Sequence, residues 1–283
     1  MKTYLWHYTS YEGFRGIITS KELWLRDTFN MNDKEDRTYG RECVTRAIQS
    51  CGENSIFYKY RNIDIEPALP LFHHYSMSFC KKENPYLLKK YAHDEIALVF
   101  DIDKLQIAVY DVCGLSFTEI LNFRDINYEL NIPEIERTCN YLESRFLSTV
   151  SEIHRQTELT LIKKLLYSVY SGYTKKKKYR NEEEHRLCYV DESSAFYKDA
   201  IPEILRLLEK GRKEEALVKL TLHQRVDDHY PLKLGRAFTS LVIPFVFVGS
   251  KCPITESEIK LFLHEQGFDS TVIISEGYSL PKD

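Results

Sequence analysis

The sequence lacks the patterns that identify several common classes of protein. Its seven cysteines include no Cys-x-x-Cys pair, and their odd number and wide spacing indicate reduced thiols in a cytosol, with neither disulfides nor a zinc site. No apolar run is long enough to span a bilayer, and the Met-Lys-Thr-Tyr start has no apolar signal region. We therefore expect a cytoplasmic protein with no membrane partner.

The motifs of several large enzyme classes are also missing. There is no glycine-rich phosphate loop, no Gly-x-Ser-x-Gly turn and no paired-histidine zinc motif. His73 and His74 are adjacent but have no helical set of further ligands, so the lead-in to a strand is favoured over a metal site. The net charge of −3 excludes a generally basic nucleic-acid binder, although it allows a local basic patch.

What is present is the composition of a globular chain. The 283 residues are 43% hydrophobic and 29% charged, which is enough apolar material for a sizeable core. Short strand patterns alternate with helical ones, and neither an internal repeat nor a low-complexity linker appears. The sequence therefore predicts a single α+β domain over residues 1–283, with a helical insertion at approximately 119–174.

The hydrophobic periodicity predicts the individual elements. Strands are expected at 4–8, 22–25, 74–79, 96–100, 107–110, 184–190, 241–248 and 272–274, and 114–117 is a candidate partner for 107–110. Helices are expected after Ser10, near Asp33, from Pro85, over 133–170 in two parts broken near 148–151, from Pro202, over 214–222 and from Thr255, where Glu258 completes a capping box.

The first candidate site residue lies at the end of the first strand. His7 comes just before the Ser10 turn into a helix, where backbone donors are free and where ligands often bind. From position alone, a satisfied core histidine is the simpler interpretation, because one good hydrogen bond suffices for an interior imidazole.

Charged candidates lie on the late strand. Alternation places Glu184 and Arg186 on one face, where Arg186 is expected to keep Glu184 ionised; Glu182 precedes the strand and is expected to be screened by solvent. An exposed polar edge is the alternative, with a Glu184–Arg186 pair worth under ~1 kcal/mol. For the lysine run at 175–178, a solvated loop is favoured over a phosphate contact.

Several short motifs resemble a bacterial family of unknown function, DUF2971. They are His7-Tyr8-Thr9-Ser10 with Gly16-Ile17, Leu23-Trp24, Phe29-Asn30-Met31-Asn32-Asp33, Tyr75-Ser76-Met77-Ser78-Phe79-Cys80, Tyr91-Ala92 before Ala97-Leu98-Val99-Phe100-Asp101, Tyr179 with Glu182, Glu184 and Arg186, and Val246-Phe247-Val248-Gly249. The motifs are spread over most of the chain.

The order of these motifs also resembles the ADP-ribosyltransferase fold, a mixed, largely antiparallel split sheet. That fold has His or Arg on an early strand, Tyr or Ser on a middle strand and Glu on a late strand. The resemblance implies NAD as the substrate and a protein or nucleic-acid acceptor, in a bacterial stress or phage-defence effector. It also implies the following roles: His7, Tyr8 and Thr9 contact the ribose side of NAD, Tyr75 or Tyr91 stacks on nicotinamide, Ser76 or Ser78 supports the glutamate, Arg186 holds it, Glu184 bonds the nicotinamide ribose, and Glu182 orients the acceptor.

A second hypothesis belongs to another class. A non-catalytic nucleotide- or RNA-binding sensor would keep the same cleft without turning NAD over. His7 and the lysine run at 175–178 would then still contact the ligand, whereas Glu184 would be only a structural member of an ion pair. NAD consumption by the purified protein discriminates between the two hypotheses.

Overall fold

The computed structural model describes residues 2–27, 34–59, 74–113, 121–129, 132–144, 172–190 and 229–281, with short pieces at 166, 170, 206–207, 210–212 and 215. The strands are β1 (Tyr4–Thr9), β2 (Glu22–Asp27), β3 (His74–Cys80), β4 (Ile96–Asp101), β5 (Leu121–Asp125), β6 (Glu184–Val190), β7 (His229–Lys233), β8 (Phe245–Val248) and β9 (Val272–Ile274). The α-helices are α1 (Tyr11–Ser20), α2 (Lys34–Ser50), α3 (Ile56–Lys59), α4 (Pro85–Ala92), α5 (Ile102–Cys113), α6 (Ile132–Leu142) and α7 (Glu256–Glu265), and 3₁₀ turns cover Lys177–Glu182 and Gly235–Ala237.

The strands form one mixed sheet that forks at β3. The main path runs β5-β6-β3-β1-β4-β8-β9, and its pairs are antiparallel except for the parallel pair β8–β9. On its other edge, β3 pairs with β1 at Cys80 and with β2 at Tyr75 and Ser76, and β7 extends the β2 branch. The predicted α+β class with a mixed sheet is confirmed.

The two faces of the sheet are packed differently. On one face, α1, α5 and α7 cover the main core, in which Phe14, Phe100 and Leu263 are buried. On the other face, α4 packs Leu87 and Ala92 onto β1, β4 and β8. Helices α2, α3 and α6 share a separate apolar cluster. Among the described helices, none has the length and apolar character needed to cross a membrane.

Two helix starts confirm the capping predictions. At α1, the Ser10 hydroxyl accepts a hydrogen bond from the amide of Gly13 at 3.1 Å. At α7, Thr255 and Glu258 form the reciprocal capping box. Such bonds satisfy amides that have no partner inside the helix.

The strand prediction at 107–110 is wrong, because these residues belong to α5 (Ile102–Cys113). Leu105, Ala108 and Val109 are buried at helical spacing, while Ile107 and Tyr110 are exposed. The Asp101 carboxylate also accepts the amide of Lys104 at 3.1 Å and so caps the helix. The apolar run therefore had the period of a helix, which the sequence analysis missed.

Other element boundaries also differ from the predictions. The strand expected at 241–248 begins at Phe245, because a turn joins the amides of Val242 and Ile243 to the carbonyl of Thr239. Within the expected helical insertion, α6 is a helix, but β5 is a strand that pairs with β6. The elements expected at 114–117, 148–165 and 216–222 lie outside the described residues, as does most of the helix expected from Pro202.

Gly249 should not tolerate a side chain. Its amide donates to the carbonyl of Glu95 at 2.6 Å, and an added Cβ would lie 2.2 Å from the carbonyl oxygen of Asp94. Since backbone atoms must move to relieve this contact, Gly249→Ala should lower the free energy of unfolding by about 1–3 kcal/mol in urea titrations.

Gly16→Ala is the matched control for that substitution. Gly16 lies inside α1, where an added Cβ meets no atom within 4 Å. Alanine is the better helix former by about 1 kcal/mol, so Gly16→Ala should leave stability unchanged or raise it. Equal effects of the two substitutions would contradict the close approach at Gly249.

Candidate functional site

A cavity of about 600 Å³ opens at the fork of the sheet, on the face that carries α4. This volume is within the range of small-molecule sites. Its walls come from β1, β2, β3, β6, β7 and α4, together with Lys175 and the last residue of the 3₁₀ turn Lys177–Glu182. The lining combines aromatic side chains (Trp6, His7, Tyr8, Trp24, Tyr91 and His229) with charged ones (Arg26, Lys175, Glu182, Glu184 and Arg186).

His7 lies where β1 separates from β3. The two strands pair only at Trp6 and Cys80, and beyond that point the Nδ1 atom of His7 donates to the carbonyl oxygen of Ser78 at 2.9 Å. The side chain thus replaces a strand-to-strand bond. Burial lowers the pKa of His7, so its imidazole is neutral at pH 7. With the proton on Nδ1, Nε2 carries a lone pair that can accept a hydrogen bond from a hydroxyl group.

The two residues after His7 have different surroundings. Tyr8 lines the cavity, and its hydroxyl accepts the amide of Asn84 at 2.6 Å, which ties it to the start of α4. Thr9 does not line this cavity. Its hydroxyl lies against α1, where a Cβ on Gly13 would come within 2.1 Å of it. This position is at odds with Thr9 as a residue that flanks the ligand.

Of the two candidate stacking tyrosines, only Tyr91 lines the cavity. Tyr75 is completely buried in the core, where its ring packs against those of Tyr189 and Tyr230 at centroid distances of 6.3 and 5.8 Å. Because alternate residues of β3 point to opposite faces, Tyr75 points away from the cavity that Ser76 lines. Tyr91, on α4, is half exposed.

Both predicted serines line the cavity, but neither hydroxyl bonds the late glutamate. Across β3 and β6, Ser78 is opposite Arg186, while Glu184 is opposite Cys80. The Ser76 hydroxyl is buried and has no hydrogen-bond partner among the described residues. The serines therefore do not support Glu184 directly.

Four charged residues form one buried network at the cavity wall, the Glu184 network (Lys175, Glu182, Glu184 and Arg186). The carboxylate of Glu184 accepts the Nε of Arg186 at 2.5 Å and its Nη2 at 3.2 Å, and it lies 2.7 Å from the ammonium of Lys175. Lys175 also donates to Glu182 at 2.9 Å. Arg186 donates its Nη1 to the carbonyl of Gly172 at 2.8 Å.

The network keeps Glu184 charged. Burial by itself raises the pKa of this carboxyl, but the neighbouring charges of Arg186 and Lys175 outweigh burial and lower the pKa to about 2. The amide of Glu184 donates to the hydroxyl of Tyr128 at 2.7 Å, which fixes the start of β6. The site thus holds an ionised and immobilised carboxylate at neutral pH.

Two expectations about this region are wrong. Glu182 was expected in solvent, but it is only 7% exposed, nearly the same as Glu184 at 6%. The lysine run was expected to be a solvated loop, but Lys175 is buried between the two carboxylates, and only the following lysines reach the surface. The backbone bridge between Asn127 and Thr174 brings Lys175 inside.

The aromatic rim of the cavity, which Trp24 and His229 form, was not predicted from the sequence. Trp24 and Arg26 lie on the cavity face of β2, while Leu23 and Leu25 are buried on the other face. In a strand that alternates buried and exposed residues, a tryptophan at an exposed position is a signal that could have identified this rim. Among the residues that the structure describes, there is no cluster of three or more metal-ligating side chains.

Comparisons with models of known protein families, with curated proteins and with solved structures found no match. The functional assignment therefore rests on the geometry and chemistry of the cavity.

Proposed function

We propose that the protein cleaves the bond between nicotinamide and ribose in NAD and passes the ADP-ribosyl group to water or to a macromolecule. The observation that carries the proposal is Glu184, an ionised carboxylate fixed by Arg186 in the wall of a cavity that also exposes the neutral imidazole of His7. An anionic group held in place before the reaction stabilises positive charge that develops during it.

The chemistry matches these groups. The bond from ribose C1′ to the ring nitrogen breaks, its electron pair leaves with nicotinamide, and positive charge develops on the ribose. Glu184 would stabilise this charge from the side of the 2′-hydroxyl, while Nε2 of His7 would accept a hydrogen bond from a ribose hydroxyl. Tyr91 would stack on the nicotinamide ring. A water molecule or an acceptor hydroxyl, amine or guanidine then adds to C1′ and loses a proton.

The order of these groups along the chain also supports the proposed cleavage of NAD. His7 on β1, the serines of β3 and Glu184 on β6 surround one cavity at a fork in the sheet. This is the order that the resemblance to ADP-ribosyltransferases implies, and we propose membership of the DUF2971 family on the motifs that carry it. A cytoplasmic location, where NAD is abundant, is part of the proposal.

One observation favours the second candidate, a nucleotide sensor without turnover. The oxygens of Glu184 already accept three bonds from the protein's own Arg186 and Lys175. A network that is satisfied in this way can serve simply to shape a binding cavity.

The decisive experiment is incubation of the purified protein with NAD, alone and with candidate protein and nucleic-acid acceptors. Nicotinamide release measured by chromatography supports the enzyme, and mass addition to an acceptor identifies transfer. Tight binding of NAD without nicotinamide release would establish the sensor instead.

His7→Asn tests whether His7 contacts the ligand. The asparagine amide can still donate to the carbonyl of Ser78, but it has no acceptor in the position of Nε2. NAD affinity should fall by about 5- to 10-fold, the equivalent of one hydrogen bond, while the free energy of unfolding changes by less than ~0.5 kcal/mol. Calorimetric titration and urea unfolding measure the two quantities. Lower stability with unchanged affinity would identify a core histidine.

A further inference from the structure

A second group of cavity residues lies on the outer branch of the fork, away from Glu184. Arg26 on β2 is directly opposite Ser76 on β3 and His229 on β7, so these three side chains form one row across three strands. Trp24 lies two residues along β2, and its ring stacks on that of His229 with a centroid distance of 4.9 Å and an interplanar angle of 24°. All four residues line the cavity.

The row is separated from the Glu184 network by the length of β3. Glu184 is opposite Cys80, which is four residues from Ser76 along the strand. At about 3.3 Å per residue, the row is roughly 13 Å from the position of Glu184. The cavity therefore has two chemically different ends.

Trp24, Arg26 and Ser76 each offer a group that can bind a ligand. The ring of Trp24 is 50% exposed although it is stacked on His229. Arg26 is exposed in the cavity lining. Among the described residues, the hydroxyl of Ser76, at 2% exposure, has no hydrogen-bond partner. A buried hydroxyl without a partner is costly, which makes it a marker for a missing ligand group.

We propose that Trp24, Arg26, Ser76 and His229 form a subsite for an unpaired nucleobase and its phosphate. Flat aromatic rings stack on the faces of bases, and the planar guanidinium of Arg26 suits a phosphate. The hydroxyl of Ser76 would bond a ribose hydroxyl or the edge of the base. The inference rests on the proposed function only in placing a nucleotide in this cavity.

Two kinds of ligand carry a base and a phosphate that fit this subsite. One is the adenylate half of NAD, with its nicotinamide ribose at the Glu184 network. The other is a base of a single-stranded nucleic acid that serves as the acceptor. The two sources differ in whether ADP-ribose or a single strand is the better ligand of the subsite.

Trp24→Ala tests the subsite with three probes: ADP-ribose, nicotinamide mononucleotide and a 5′-phosphorylated hexaadenylate. Loss of one base-stacking ring corresponds to roughly 5- to 100-fold in affinity. We expect this loss for ADP-ribose or for the hexaadenylate and no loss for nicotinamide mononucleotide, as measured by calorimetry. Trp24→Phe should restore most of the affinity, because it keeps a flat ring.

Tyr86→Ala is the control. Tyr86 is an exposed aromatic residue of α4 that does not line the cavity, so this substitution should change no affinity. Circular dichroism checks that each variant is folded.

Each outcome decides the matter. A loss confined to ADP-ribose identifies the adenylate half as the occupant, and a loss confined to the hexaadenylate identifies a strand. A loss for both probes, with none for nicotinamide mononucleotide, supports a subsite that accepts the base from either source. Equal affinities of wild type and Trp24→Ala, an equal loss for nicotinamide mononucleotide, or no binding of any probe by the wild type overturns the subsite. If binding depends on Trp24 but no nicotinamide is released, the proposed enzyme activity is refuted and the subsite is supported. If nicotinamide is released but binding does not depend on Trp24, the enzyme activity is supported and the subsite is refuted.

Discussion

Glu184→Gln should lower the rate of nicotinamide release by about 100-fold or more, the loss typical of one preorganised electrostatic group. Glutamine has nearly the same shape, and its carbonyl oxygen can still accept the Nε of Arg186, but its amide nitrogen cannot accept Nη2 of Arg186 or the ammonium of Lys175. The change therefore removes the negative charge together with the bonds to the second oxygen. Since positive charge on the ribose develops only in the transition state, kcat should fall while KM changes little. Steady-state assays over a range of NAD concentrations separate the two constants.

Two neighbouring glutamates serve as comparisons for this prediction. Glu183 pairs with Lys82 at the surface and does not line the cavity, so Glu183→Gln should keep full activity. Glu182 shares Lys175 with Glu184, but its other oxygen accepts hydrogen bonds from Lys90 and Tyr91 of α4, so Glu182→Gln should spare hydrolysis more than transfer to an acceptor. Equal losses of hydrolysis in the Glu182 and Glu184 variants would refute this division. Full activity of Glu184→Gln would exclude the transferase and leave the sensor.

The part of the site that follows from strand alternation could be predicted from the sequence. Glu184 and Arg186 are two residues apart on β6, so they lie on one face whatever the rest of the chain does, and the structure pairs them as expected. The same local rule separates Tyr75 from Ser76. Strand alternation does not predict which face of the sheet carries the cavity, because the packing of helices that are remote in sequence determines that face.

The buried position of Glu182 and Lys175 could not be predicted in this way. The 3₁₀ turn Lys177–Glu182 ends at Glu183, whose φ of 42° reverses the chain direction before β6 begins. This reversal returns Lys175 to a position between the two carboxylates. A run of like charges carries no periodic signal of such a turn, so composition alone favoured a solvated loop.

The fork in the sheet also could not be predicted from the periodicity of the sequence. It arises because β3 pairs with β1 at one end and with β2 at the other, and these pairings join residues more than 45 positions apart. Periodicity identifies a strand but not its partner, so the rim that Trp24 and His229 form became visible only with the topology.

Arg186→Met should destabilise the protein by about 3–5 kcal/mol, the range for breaking a buried ion pair by removing one partner. Arg186 is only 2% exposed. Without it, the contact with Lys175 is the one that the Glu184 carboxylate keeps among the described residues, and the carbonyl of Gly172 loses a donor. Methionine fills much of the same volume, so the loss reports the charge and its hydrogen bonds more than a cavity. Equilibrium unfolding in urea at pH 7 measures the change.

The surface pair of Arg180 and Glu129 provides the control for Arg186→Met, and pH provides an independent check. Both side chains of that pair are exposed, so Arg180→Met should cost under ~1 kcal/mol. Because the folded-state pKa of Glu184 is about 2, below its ordinary value of 4.5, its stabilising contribution is complete above pH 4.5 and is lost as the pH falls towards 2. The difference between wild type and Arg186→Met should therefore shrink over this interval. Costs that are equal for the two arginines, or a difference that is constant with pH, would show that the Glu184 network does not hold this carboxylate in its ionised form.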